Sequence, residues 1–369
     1  MRFRVPAHRV FVVAISAALL LAACGGDEDA PAEEPAPHED EVAADDLTVV
    51  ATTSILGDIT EQLLGEDGDV EVIIPPGSDP HGYEPSARDA ATLREADLVV
   101  ANGLQLEEGL MSALAAAEED GARVLEVAPH LDPIAFDWDG PHDHGHGDEG
   151  DEGHAHEDEG DDGHSHGDEG DEGHAHEDEG DDGHAHGPED PHVWHDPLRM
   201  VDAVHLIASE LADVAEVVDA DEWEARAHAY EQDLLTVHED VEAILAEVPE
   251  DHRQLITNHD SFGYLAVRYD FEVIGTVIPG SSTDVETDPA AFADLIATLE
   301  EARVPAIFSE NTEADRLSEQ LASEVLDRAD LEVEVVELYS DSLGEPGSDG
   351  ESYLDLLRSN AERIAAGLS

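Results

Sequence analysis

The sequence predicts an α/β protein of two similar lobes, each with a four-stranded, mostly parallel sheet, joined by one long rigid helix. Two observations support this fold class. Apolar, β-branched runs alternate with helical stretches, a pattern typical of parallel sheets that are covered on both faces. These runs also fall into two groups of four, separated by one long amphipathic stretch.

The eight runs define the predicted strands and, with them, the predicted lobes. The first group comprises 47–52, 70–74, 98–101 and 123–127, and the second comprises 254–257, 272–277, 305–309 and 332–338. We therefore expect an N-terminal lobe over 47–220 and a C-terminal lobe over 249–369.

The stretch between the groups predicts a single helix over 221–248. Its apolar positions recur at alternating steps of four and three residues, which is a helical stripe: Trp223, Ala227, Tyr230, Leu234, Val237, Val241, Ile244 and Val248. Pro249 then ends the pattern. Such a helix would be roughly 42 Å long, which suits a strut between two lobes better than a crossover within one sheet.

The N-terminus has the pattern of an export signal. Arg2, Arg4 and Arg9 precede a short apolar run over 10–23, which is followed by Cys24. The run is too short to span a membrane, which needs about 20 residues. A lone cysteine here resembles a bacterial lipobox and predicts a signal peptide over 1–24 with lipid attached to Cys24. The alternative is a small apolar residue at a cleavage site.

Two features follow from this N-terminus. Cys24 is the only cysteine in the chain, which excludes disulfide bonds and a thiolate metal cluster. Residues 25–46 are acidic, rich in Ala and Pro and without an apolar period, so they predict a disordered tether. We therefore expect an extracytoplasmic protein anchored to the cell membrane through lipid on Cys24.

The charge of the chain is strongly negative. Its 15 basic residues are all arginines against 93 acidic ones, which gives a formal net charge of −78 at pH 7. Such a surface repels nucleic acid and suits cations, so no nucleic-acid partner is expected. A saline or high-GC source could also explain most of the acidity, but it does not explain the histidines.

The segment 139–189, called the His-rich segment below, predicts a disordered loop. A ten-residue repeat of Gly, His, Asp and Glu begins at 153 and returns at 163 and 173, with nothing apolar to bury. Its paired histidines beside carboxylates favour auxiliary metal binding over compositional drift. The histidines of the segment are His142, His144, His146, His154, His156, His164, His166, His174, His176, His184 and His186.

Four side chains follow the carboxyl ends of predicted strands, where open α/β sheets bind ligands. They are His81, His192, His259 and Asp341. Because they are divided between the lobes, they could meet in one cleft, and three histidines with one aspartate form a suitable first shell for tetrahedral zinc. Proline precedes both His81 and His192 and stiffens the backbone there.

Two further groups of residues carry weaker signals. His195 is expected to support the site from behind the ligands or to lie outside it, and Glu310 is expected to be an acceptor behind the ligands, a spare ligand or a carboxylate at a helix start. His205, His228 and His238 lie on helical stretches and are expected on the surface.

Four motifs in order resemble the zinc- and manganese-specific solute-binding proteins of ABC importers. They are the stretches 79–86, 190–194, 258–264 and 338–344. The resemblance covers roughly 47–369 and implies a metal between two lobes, held by His81, His192, His259 and Asp341. Zinc is favoured over Mn²⁺, the second candidate, because manganese members commonly have glutamate where this chain has His259. Family members usually carry an apolar residue in place of His195.

The resemblance implies a monomer that delivers zinc to an ABC permease and its ATPase subunit. Affinity should fall as the pH drops through about 6.5, since imidazole must be neutral to bind metal. A zinc hydrolase is the main rival, but the sequence contains no HExxH and offers a fourth ligand, so no enzyme is expected. Two non-enzymatic rivals are a manganese-binding protein of the same type and a metal-buffering or adhesive surface lipoprotein.

Overall fold

The structure is a computed structural model that describes residues 47–135, 189–215, 218–280, 282–283, 289–312 and 316–369. The predictions for the signal peptide, Cys24, the tether and the histidines of the His-rich segment lie outside these ranges. Ala135, shortly before that segment, pairs in an antiparallel bridge with Glu189, the last residue of the segment. Within the described ranges, no helix is both long enough and apolar enough to cross a bilayer.

The first sheet has four parallel strands in the order β2-β1-β3-β4. The strands are β1 (Thr48–Ala51), β2 (Asp69–Val72), β3 (Leu98–Ala101) and β4 (Arg123–Glu126), and the helices between them are α1 (Ser54–Leu64), α2 (Ala87–Glu95) and α3 (Met111–Asp120). The central strands β1 and β3 are almost wholly buried, as expected for β-branched runs covered on both faces.

The second sheet repeats this arrangement, with four parallel strands in the order β6-β5-β7-β8. Its elements are β5 (Gln254–Thr257), α6 (Gly263–Tyr269), β6 (Glu272–Thr276), α7 (Pro289–Ala302), β7 (Ala306–Glu310), α8 (Arg316–Ala329), β8 (Glu334–Leu338) and α9 (Tyr353–Gly367). The strand order reverses between β1 and β3, and again between β5 and β7. Open sheets bind ligands beyond the strand ends at such points.

Two helices connect the sheets. Helix α4 (Pro197–Val214) starts with proline at its first position and is capped by Asp196, a favoured beginning for a helix. Helix α5 (Ala220–Leu245) is the long helix that the apolar stripe predicts. Its buried residues are Trp223, Ala227, Tyr230, Leu234, Val237, Val241 and Leu245. At the end of α5, Leu245 takes the buried position expected of Ile244, and tight turns replace the helix before Pro249.

Helix α5 packs against α4 and against α9, so it contacts elements of both lobes. One continuous cluster of buried apolar residues includes β1, α5 and β5. The predicted fold class of two four-stranded sheets joined by one long helix is therefore confirmed. Because the lobes share a packed core, only small movements between them are compatible with this fold.

Candidate metal centre

Four buried side chains meet between the two sheets: His81, His192, His259 and Asp341. Each offers one ligand atom, and these atoms all lie within 4.8 Å of one another. The exposed fraction of each residue is 5% or less. His81 and His192 come from the N-terminal lobe, while His259 and Asp341 follow strands β5 and β8 of the C-terminal lobe.

The separations between these atoms suit one small ion in their centre. The Nε2 atom of His192 lies 3.3 Å from that of His81 and 3.2 Å from that of His259. The oxygens of Asp341 lie 3.4–3.9 Å from the three nitrogens. A tetrahedron with zinc–nitrogen bonds of about 2.0–2.1 Å has edges of about 3.3–3.4 Å. The group is thus already close to the size that tetrahedral zinc requires.

The repeated Asp-Pro-His tripeptide forms the same turn in both places. The carboxylate of Asp79 accepts a hydrogen bond of 2.9 Å from the backbone N–H of His81. The carboxylate of Asp190 accepts one of 2.9 Å from the backbone N–H of His192. Each aspartate therefore stabilises a tight turn across the proline and fixes the backbone position of the following histidine.

Two carboxylates also orient the imidazole rings. Asp190 accepts a hydrogen bond from Nδ1 of His192 at 2.7 Å, and Glu310 accepts one from Nδ1 of His259 at 2.6 Å. With the proton held on Nδ1, the lone pair of Nε2 faces the centre of the group. Carboxylates behind metal-ligating histidines serve this purpose in many metal sites.

Asp341 is buried with neither carboxylate oxygen accepting a hydrogen bond from the described residues. Burial raises the pKa of Asp341 well above its ordinary value, and the cationic His259 opposes that rise. A buried carboxylate without hydrogen bonds is costly, and in the ion-free site the cationic His259, 3.4 Å away, offsets part of that cost. A divalent cation among the four side chains would supply positive charge and direct ligand bonds to this carboxylate.

The protonation of the ion-free site is uneven. Burial alone lowers the pKa of His259, but the negative charges of Glu310 and Asp341 outweigh it and raise that pKa to about 10. Burial keeps the pKa of His192 well below its ordinary value. At neutral pH, the site therefore holds a proton on His259, and a cation that binds there has to displace it.

His195 is not part of this four-residue group. Its ring is buried against that of Phe262, with 4.4 Å between the ring centroids, and neither ring nitrogen has a hydrogen-bond partner among the described residues. Burial lowers the pKa of His195 well below its ordinary value, so the ring is neutral. It packs as an aromatic side chain behind the turn that carries His192.

Hydrogen bonds between the lobes surround the group. Trp194 donates from Nε1 to the carbonyl of Ser340 at 2.8 Å, and the hydroxyl of Tyr353 donates to the carbonyl of Trp194 at 2.6 Å. The hydroxyl of Ser342 accepts from the backbone N–H of Gly77 at 2.8 Å. These contacts flank Asp341 on both sides, so the loop after β8 is held against the N-terminal lobe.

Comparison with known proteins identifies the family to which this fold and this site belong. The model of the family described as zinc-uptake complex component A, periplasmic, matches residues 49–367. The chain belongs to this family. Members of the family are solute-binding components of transport rather than enzymes, so the hydrolase alternative is excluded, and the family resemblance of the sequence is confirmed.

Individual relatives carry names for either metal. The manganese-binding lipoprotein MntA of Halalkalibacterium halodurans is 26% identical over 97% of each chain. The manganese ABC transporter substrate-binding lipoprotein PsaA of Streptococcus mitis is 24% identical over 98% of each chain. Among solved structures, the periplasmic zinc-binding protein TroA from Treponema pallidum has a TM-score of 0.70 at 24% identity, covering 88% of this chain and 99% of that one. The chain is thus a metal-binding component of an uptake system.

The sequence predicts the four central side chains and one of the two carboxylates behind them, but it does not predict the other. Asp190 lies in one of the four motifs, and the recurrence of Asp-Pro-His at 79–81 is the sequence signal for its role. The structure places Glu310 against His259, where it accepts a hydrogen bond from the imidazole ring. This is one of the three roles that the sequence leaves open for Glu310.

Replacing Asp190 by alanine is expected to weaken zinc binding about 10- to 100-fold, as is usual when the partner behind a ligating histidine is lost. His192 would lose the hydrogen bonds to its backbone N–H and to its Nδ1 atom together. Chelator competition measures the change, and Asp251→Ala, at an exposed position, is the matched control. Equal affinities of the two variants would show that Asp190 does not orient His192.

Proposed function

We propose that this protein is the extracytoplasmic zinc-binding component of an ABC importer, which captures zinc between its lobes and delivers it to the permease. The observation that carries the proposal is the convergence of His81, His192, His259 and Asp341 in one buried group. Their separations match a tetrahedral zinc shell, and neither carboxylate oxygen of Asp341 accepts a hydrogen bond from the described residues.

The donor set favours zinc over manganese. Three imidazole nitrogens and one carboxylate are ligands that suit zinc, whereas manganese prefers oxygen ligands in octahedral geometry. The carboxylates of Asp190 and Glu310 lie behind the imidazole rings of His192 and His259 and accept from their Nδ1 atoms. Neither residue belongs to the group of four converging ligand atoms, which therefore offers a single carboxylate, that of Asp341.

Capture and release would follow from the two-lobe architecture. Each lobe supplies two ligands, so the ion completes its shell only when the lobes face each other. Hydrogen bonds such as those of Trp194 and Tyr353 stabilise the closed arrangement. Because the lobes share a packed core through α5, the permease and its ATPase would have to supply the energy that separates the ligands.

Three further parts of the proposal are the lipid anchor, the monomeric state and the role of the His-rich segment. Lipid on Cys24 would anchor the protein, as a monomer, at the outer face of the cell membrane. The His-rich segment would raise the local zinc concentration near the cleft, which is an effective-concentration effect. Each histidine pair of the segment should bind zinc weakly, because binding an ion there has to order the backbone around the pair.

Manganese is the second candidate cargo, because relatives such as MntA carry that metal in their names. Competitive titration of the full chain with zinc and manganese distinguishes the two. We expect zinc to displace manganese from the cleft at equimolar concentrations, with a preference of about 100-fold or more that reflects its place in the divalent-metal series. Tighter binding of manganese would overturn the zinc assignment.

Growth of the host tests the transport role. Deleting the gene should stop growth in medium depleted of zinc by a chelator, and added zinc, but not manganese, should restore it. A chain carrying His259→Ala should fail to complement, whereas one carrying His130→Ala, at an exposed position, should complement fully. Normal zinc uptake without the gene would instead favour a metal-buffering or adhesive surface lipoprotein.

A further inference from the structure

A second cluster of metal-ligating side chains lies on the outer face of the N-terminal lobe, where α4 packs against α5. His205 is at the middle of α4, and His228 and Glu231 are on α5. The sequence predicts a surface position for His205 and for His228 separately, and the packing of the two helices brings them together. The imidazole rings have centroids 5.0 Å apart.

The donor atoms of the cluster converge on one carboxylate. Glu231 lies with one oxygen 3.1 Å from Nε2 of His205 and 2.9 Å from Nδ1 of His228. One ligand atom from each of the three residues lies within 4.8 Å of the other two. A single ion could therefore reach all three after only small side-chain rotations.

The backbone positions of these residues are fixed by buried neighbours. Val204 on α4 and Ala227 and Tyr230 on α5 are buried in the core shared by the two helices. His228 and Glu231 are three residues apart on one helix and so share a face. Binding an ion here would order only side chains, which costs less conformational entropy than ordering backbone as well.

The second ring nitrogen of His228 also has a partner. The carboxylate of Glu224, one turn earlier on α5, lies 3.7 Å from Nε2 of His228. In the ion-free cluster, Nδ1 of His228 donates to Glu231. Once an ion displaces that proton, the Glu224 carboxylate would favour a proton on Nε2 and leave the Nδ1 lone pair for the ion. Such an outer partner is typical of ligating histidines.

We propose that His205, His228 and Glu231 form a second site for a divalent transition-metal ion of the zinc class. Two imidazoles and one glutamate are the protein ligands of known zinc sites that leave the remaining positions to water. The side chains of His205, His228 and Glu231 are 36%, 59% and 24% exposed. The ion would therefore exchange with solvent more readily than an ion in the buried cleft, and it would link α4 to α5.

This site is independent of the cleft and of the proposed cargo route. Its ligands belong to two helices of one lobe, and none of them is a residue of the central group. Without an ion, the same three side chains make an ordinary hydrogen-bonded surface cluster. The experiment has to separate these two states residue by residue, because the histidines of the His-rich segment are also expected to bind metal.

Carbethoxylation of histidine, followed by mass spectrometry, provides that resolution on the full chain. At free zinc ten times the dissociation constant of the site, the reaction rates of His205 and His228 should fall about tenfold, since about one site in ten is then empty. Glu231→Gln removes the shared carboxylate with little change of shape. The matched control is Glu239→Gln, at an exposed position of the same helix.

We expect zinc to protect both histidines in the wild type and in Glu239→Gln, and to protect neither in Glu231→Gln. His130 is the internal reference, and its rate should be unaffected by zinc in all three proteins. Circular dichroism establishes that Glu231→Gln is folded. Unchanged rates of His205 and His228 with zinc in the wild type, or equal protection in Glu231→Gln, would overturn the proposal.

Discussion

Replacing His259 by alanine should lower the zinc affinity of the cleft about 100- to 1,000-fold. Structural zinc sites with four ligands have binding free energies of about 10–16 kcal/mol, which is about 3 kcal/mol for each ligand. Because about 1.4 kcal/mol corresponds to a tenfold change in affinity, the loss of one ligand lowers the affinity by at least two factors of ten. The variant also leaves Glu310 buried without the imidazole that it accepts from. Competition against a chelator of known affinity measures the loss.

Two controls keep this result specific to the cleft. His130→Ala removes an exposed histidine and should leave the affinity unchanged. Deleting 141–188 removes the repeated histidines, and one tight zinc site should survive in that chain and disappear when His259→Ala is added. Tight binding that depends on the deleted residues and is indifferent to His259 would instead assign the metal to the His-rich segment.

Zinc affinity should rise about tenfold per pH unit between pH 7 and 9 and level off only near pH 10. The pKa of His259 is raised to about 10, because the charges of Glu310 and Asp341 outweigh the opposing effect of burial. Below that pH the ring carries a proton that zinc must displace, and each pH unit then changes the affinity by one factor of ten. The sequence alone predicts a plateau above about pH 6.5, which is the ordinary histidine behaviour.

Proton release distinguishes these two expectations directly. Calorimetry at pH 8 in buffers of different ionisation enthalpy should show about one proton released per zinc bound to the cleft, whereas an ordinary histidine would release almost none. Glu310→Gln removes the nearest negative charge and should reduce this release, because the pKa of His259 then falls. Release close to zero in the wild-type protein would contradict the raised pKa.

The fold and the centre of the site follow from short-range features of the sequence. Runs such as Leu98–Ala101 are apolar throughout and have β-branched valines at their centre, which marks strands buried on both faces. His81, His192, His259 and Asp341 could be selected because the ends of parallel strands share one edge of a sheet. Residues such as His195 and Glu310 also follow predicted strands, and the motifs that resemble the family single out the four ligands from them.

The remaining features depend on long-range packing. His205 and His228 are separated by a turn and part of two helices, and only the register between α4 and α5 brings their rings together. The contact of Glu310 with His259 requires β5 and β7 to be neighbours in the sheet, although β6 lies between them in sequence. The burial of His195 against Phe262 likewise depends on how two distant segments pack, and no local pattern around His195 predicts it.

Crystals of the zinc complex, with an anomalous difference map recorded at the zinc edge, test the proposed metal centre most directly. We expect a peak between the lobes, within about 2.0–2.2 Å of Nε2 of His81, His192 and His259 and of one oxygen of Asp341. A map with strong peaks elsewhere on the protein and none among these four side chains would contradict the assignment.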